Sequence, residues 1–159
     1  MNYQGPAART FAAIDERGLW REYPEVKSIP EMQLDVGSSG AQICLAPDGN
    51  MLVRVVEPSQ DFWAYTAYCF DKAGSLVYLG YEFRTAWGWG FPEEGSFARS
   101  QLNPVRPEFF STKTERPIAK PEQATDVRDS LQPQIFPTKA ALPFFNLLSR
   151  PVSKQKGTI

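Results

Sequence analysis

Between Ala41 and Trp87 the chain is a succession of four β-prone runs broken by two turn signals, and this limits its architecture more than any other feature. AQICLA and MLVRVVE flank Pro47-Asp48-Gly49-Asn50. An Asp-Gly pair between two such runs favours a tight hairpin, because both central residues of that turn need φ > 0. FWAYTAYCF and SLVYLGYEFRTAW flank Asp71-Lys72-Ala73-Gly74, a second turn closed by glycine. The spacing predicts four antiparallel strands, at about 41–46, 51–57, 62–70 and 75–87.

The last of these runs has a clear phase. From Val77 the odd positions are Val77, Leu79, Tyr81, Phe83, Thr85, Trp87, Trp89 and Phe91, and the even ones include Gly80, Glu82, Arg84, Gly88 and Gly90. Alternation of period two places the large groups on one face. Trp87 and Trp89 are therefore expected to be covered by another part of the chain, with the opposing glycines admitting close backbone approach. The alternative is an open aromatic face of Tyr81, Phe83, Trp87, Trp89 and Phe91 that binds a small ligand or a glycan.

Upstream, PAARTFAAIDERG reads as a helix from Pro6 to Arg17. Proline suits a first turn, Ala8, Phe11, Ala12 and Asp15 recur at helical spacing, and Gly18 serves as a stop. Residues 24–40, with Pro24, Pro30, Gly37 and Gly40, read as loop.

Charge and proline usage divide the chain near Gly95. Residues 1–95 hold 7 Lys/Arg against 13 Asp/Glu, a net of −6, and residues 96–159 hold 10 against 5, a net of +5. Eight of the 14 prolines fall in the second part. Residues that precede proline avoid the α region, so long helices do not fit there. Short ones fit at 121–132 and from Pro143 to Arg150. The same part carries Phe109, Phe110, Phe136, Leu142, Phe144, Phe145 and Leu148, which disordered tails lack. These seven are the candidate anchors by which the arm docks on its own domain or grips a protein partner. The expected fold is thus α+β: an N-terminal helix on a four-stranded antiparallel sheet (1–95), followed by a long, Pro-rich, basic, extended C-terminal arm (96–159).

The chemistry is bounded by what the chain lacks. Its 159 residues contain no histidine, which removes the commonest general base and transition-metal ligand and excludes Ser-His-Asp and Cys-His nucleophile systems. Two cysteines cannot form a four-cysteine zinc site. Walker, dinucleotide-binding and nucleophile-elbow motifs are absent. Glu93-Glu94 reads as solvated acid in a Gly/Pro loop. A net charge of −1 gives no footprint for nucleic acid. We expect no catalytic residue, no cofactor and no metal site. The first residues lack the pattern of a secretory signal and no apolar run reaches 18 residues, so a soluble chain is expected, cytoplasmic or, where a signal has been removed, periplasmic or secreted. The functional expectation is a non-enzymatic interaction or accessory subunit working with a protein partner or a larger complex.

Cys44 and Cys69 fall on the first and third strands of the expected meander. Strands spaced about 4.8 Å apart put these about 9–10 Å from each other, beyond the ~7 Å that a disulfide allows. Free thiols are expected.

Overall fold

The computed structural model describes residues 9–14, 17–26, 29, 33–98, 101–104 and 108–149. Its centre is an antiparallel meander of four strands, β3 (Ser39–Leu45), β4 (Met51–Pro58), β5 (Phe62–Phe70) and β6 (Leu76–Thr85), formed by the four β-prone runs. The sheet extends further on both sides. β1 (Arg9–Ala13) pairs with β3 and carries the two-residue β2 (Arg21–Glu22) on its other edge. β7 (Trp89–Ala98) pairs with β6, while β8 (Gln101–Pro104) and β9 (Phe110–Ser111) share the far edge of β7. The result is one nine-stranded antiparallel sheet with two short helices, α1 (Ala124–Ser130) and α2 (Phe145–Leu148).

This overturns the expected α+β arrangement. Where an N-terminal helix was expected, Arg9–Ala13 is a strand in full register with β3, from Arg9↔Ile43 to Ala13↔Ser39. A five-residue run such as RTFAA fits a helical or an alternating pattern equally well. Helix propensity separates ordinary residues by at most about 0.7 kcal/mol each, whereas the edge of β3 offers a whole row of backbone partners. Gly18, read as a helix stop, has φ +64 and belongs to the connection from β1 to β2. The remainder of the expected helix, residues 6–8 and 15–16, lies outside the described residues.

The sheet has one sealed face, here called inner, and an outer face that is open over β4, β5 and β6 but covered over β1 and β3, where Thr10, Ala12, Gln42 and Cys44 are buried. Phe11, Ala41, Ile43, Met51, Val53, Val55, Tyr68, Phe70 and Leu79 form the first half of the inner face, where Leu142 and Phe144 cover them. Ala64, Tyr81, Phe83, Trp89 and Phe91 form the second half, beneath Phe109 and Ala124. The C-terminal arm is thus the second layer of the fold, and β7 runs without a break through Gly95, where composition and charge shift. The arm crosses the sheet with little regular structure. It is pinned by Leu76 N–H to Pro137 O, Lys139 N–H to Gly74 O, a single 3-10 turn at Lys139–Ala141, and the Tyr68 and Tyr81 hydroxyls, which donate to the Gln134 and Leu131 carbonyls at 2.8 and 3.0 Å.

Cys44 and Cys69 are free and lie across from each other with Leu52 of β4 between them. Burial pushes both thiols above their ordinary range, so both are poor nucleophiles at neutral pH. Alkylation of the unfolded, unreduced protein is expected to modify two thiols, read by mass; a product with none modified contradicts the strand order.

Candidate functional site

Phe109, Leu142 and Phe144 are buried in the chain's own core, Phe136, Phe145 and Leu148 are half-buried against it, and Phe110 is half-buried on the other face against Gly90 and the Arg84 guanidinium. Phe144 stacks on Phe11 at 5.4 Å between ring centroids and meets Trp20 at 4.7 Å. Phe136 packs on Tyr68. Phe109 meets Trp89 and Phe91 at 6.2 and 5.8 Å. Arg9 ties the last described turn of the arm to β1. Its guanidinium forms a bidentate pair with Glu22 at 2.7 Å and donates to the carbonyls of Leu147 and Leu148, both at 2.9 Å.

The five residues of the alternative ligand face divide. Tyr81, Phe83, Trp89 and Phe91 are buried under the arm, whereas Trp87 is 59% exposed. The phase argument fails at Trp87 because β6 ends at Thr85. Ala86, Trp87 and Gly88 form the tip of a hairpin, with Gly88 at φ +98, and the chain then returns as β7. The register is Phe83↔Phe91, so odd positions pair with odd and the large groups stay on one face on both sides of the turn. Val77 departs from the phase too. A register shift at Cys69/Phe70 places Leu76 inside and leaves Val77 and Tyr78 outside. Gly90 admits the close approach expected of it: a Cβ there would lie 2.5 Å from Phe83 O and 2.7 Å from the Phe110 ring.

Glu93, read as a solvated acid, is instead buried on the inner face at 7% exposure and holds Arg128 of α1 at 2.6 Å. Glu57, on the same face, reaches solvent, yet desolvation by the surrounding chain lifts its carboxyl above the ordinary range. Burial, and then the nearby Glu57 charge, pushes the Tyr68 and Tyr81 hydroxyls up as well, so both stay protonated as donors to the arm. A carboxyl whose folded pKa is raised contributes stability below its unfolded pKa, and that contribution is lost as pH rises through the folded value. Glu57→Gln is therefore expected to be more stable than the parent at pH 7. The gain should stay under about 1 kcal/mol because the group is partly solvated. It should vanish below about pH 4, where the parent carboxyl is protonated in both states. Urea midpoints at the two pH values measure this, and a less stable variant at pH 7 contradicts it.

The outer face has a different character. Its rows across β4, β5 and β6 are Pro58-Trp63-Arg84, Val56-Tyr65-Glu82, Arg54-Ala67-Gly80 and Leu52-Cys69-Tyr78. Trp63 is 52% exposed and Tyr78 37%. Ala67 and Gly80 floor a groove of about 210 Å³ bounded by Arg54, Val56, Tyr65, Glu82 and Pro92. Arg84 is held by Glu82 and by Glu115 at 2.9 Å, and lies over the Phe110 ring. This surface was missed in the sequence, although a signal was present. FWAYTAYCF carries no charge in either phase, the pattern of a strand covered on both faces.

Among the described residues no group of three or more Cys, Asp or Glu side chains is placed to hold a metal ion, and no helix is long and apolar enough to cross a membrane. Fold and site together define a mostly antiparallel β protein whose inner face is closed by its own arm and whose outer face is open over β4, β5 and β6. No protein-family model, curated protein or solved structure matches the chain.

Proposed function

We propose that the chain is a non-enzymatic interaction or accessory subunit, and that its partner docks on the outer face of β4, β5 and β6 rather than on the arm. The observation that carries this reading is the uncharged outer row of the central strand β5, Trp63, Tyr65, Ala67 and Cys69, set around an open groove. A sheet face that only meets water is normally polar at alternate positions. The burial of Phe109, Leu142 and Phe144 supports an intramolecular arm, and the cover over Tyr81, Phe83, Trp89 and Phe91 favours this reading over a ligand face on those rings.

The test is the native size of the tagged full-length chain in gentle extract from its source cells, for the parent and for Ala67→Arg. Ala67 faces outward, so the fold should tolerate the change, checked by thermal unfolding. The parent is expected to migrate well above its monomer mass and the variant to lose that association. A variant that keeps the complex intact, or a parent that runs as a lone chain both in extract and when purified and concentrated, would sink the reading.

A further inference from the structure

We propose that the occupant of the outer face is a second copy of this chain, packed face to face about a two-fold axis that crosses β5 between Tyr65 and Ala67. This rests on the outer-face reading above and names its partner.

The argument is one of size and charge. Along β5 the outer positions run large, large, small, small: Trp63, Tyr65, Ala67, Cys69. A two-fold axis perpendicular to the strands reverses this order in the facing copy. It sets Tyr65 over the mate's Ala67 and Trp63 over the mate's Cys69, twice each. The neighbouring rows follow the same reversal, because the registers Trp63↔Arg84, Tyr65↔Glu82, Ala67↔Gly80 and Cys69↔Tyr78 fix them. On β6 the Tyr78 ring lies over Gly80, so Glu82 meets that ring of the mate rather than an open depression, and Arg84, already stacked on its own Phe110, faces the mate's row at Tyr78. On β4, Arg54 meets the mate's Val56. No like charges oppose each other, and along β5 the large side chains Trp63 and Tyr65 face the small ones Cys69 and Ala67. A heterologous partner requires no such self-reversal; an isologous interface does. Aligned packing of two such faces is the usual β-sandwich arrangement.

The footprint also sets the strength. Four rows by three strands cover roughly 400 Å² per copy at ordinary strand spacings. That is below the ~800 Å² per partner of a standard stable interface, so the dimer should dissociate on dilution.

Sedimentation of the purified full-length chain from about 1 μM to about 1 mM, the range matching weak to moderate association, tests this. The weight-average mass is expected to rise from 17.9 kDa toward twice that value. Ala67→Tyr places ring against ring and should weaken association at least about tenfold. Combining it with Tyr65→Ala restores large against small with the order reversed, and should return the association. Maleimide labelling of Cys69 should slow as the parent concentration rises, since the mate's Trp63 covers it. This readout decides the matter if the single variant fails to fold. A mass of 17.9 kDa at every concentration, a double variant no better than the single one, or concentration-independent labelling overturns the second copy. If the parent is monomeric when pure but Ala67→Arg still abolishes the larger complex in extract, the outer-face reading stands and only the identity of the partner changes.

Discussion

A chain ending at residue 107 is expected not to fold. Phe11, Phe70, Phe83 and Phe91 are each fully buried, and all four lie on the face that the arm covers. Burial of one large apolar side chain contributes about 1.5–3 kcal/mol. The three buried anchors Phe109, Leu142 and Phe144 alone therefore contribute about 5–9 kcal/mol, which matches the whole stability of an ordinary domain. The charge split between body and arm adds little, since surface pairs contribute at most about 1 kcal/mol and salt screens them. The truncated chain should show no cooperative thermal transition and should aggregate through its uncovered aromatic face. Phe144→Ala gives the graded version. Its ring touches Phe11 and Trp20 at the junction of arm, β1 and the loop before β2, so the loss should be about 3–5 kcal/mol. A truncated chain that unfolds cooperatively near the parent temperature contradicts the two-layer fold.

The sequence disclosed the elements better than the layers. The four meander strands were legible because Asp48-Gly49 and Gly74 stop the chain where alternation also breaks, so two independent signals agree. Gly49 and Gly74 have φ +87 and +90, but Asp48 lacks the positive φ expected of it, so the first turn closes on a single left-handed glycine rather than on two such residues. Strand β1 was not legible because RTFAA satisfies two periods, and only the distant β3 decides between them. Strand β7 was hidden by Pro92, Glu93 and Glu94, which have poor β propensity. Pro92 is tolerated because it falls between the stretch of β7 paired with β9, at Trp89 and Gly90, and that paired with β8, from Gly95 to Ala98. The arm's helix was legible through Val127 and Leu131, which pack on the inner face. What it packs on was not, since contacts between residues 50 apart leave no periodic trace. The outer face shows the same limit: its rows join residues from three strands, and size reversal along β5 has meaning only once those strands are in register.

The Glu93–Arg128 pair should show a marked asymmetry. Glu93 is buried to 8% of its side-chain area, whereas Arg128 keeps 33%. Removing the arginine leaves a carboxylate with little access to water, on a face otherwise occupied by Tyr81, Phe91 and Phe109. Removing the carboxylate leaves a guanidinium that can hydrate. Breaking a fully buried pair costs about 3–5 kcal/mol. The exposure of Arg128 reduces that, so Arg128→Ala is expected to cost about 2–3 kcal/mol, the range for a hydrogen bond to a charged group. Glu93→Gln retains a hydrogen-bonding side chain of the same shape and should cost about 1 kcal/mol. With a urea dependence of about 1–3 kcal/mol/M, the arginine variant should lower the unfolding midpoint by about 1–2 M, and the glutamine variant by well under that. The double variant should be less damaging than the sum of the two, because the orphaned charge is then gone. Equal costs for the single variants, or a greater cost for Glu93→Gln, would mean that Glu93 is solvated and that α1 is held by Ala124, Val127 and Leu131 alone.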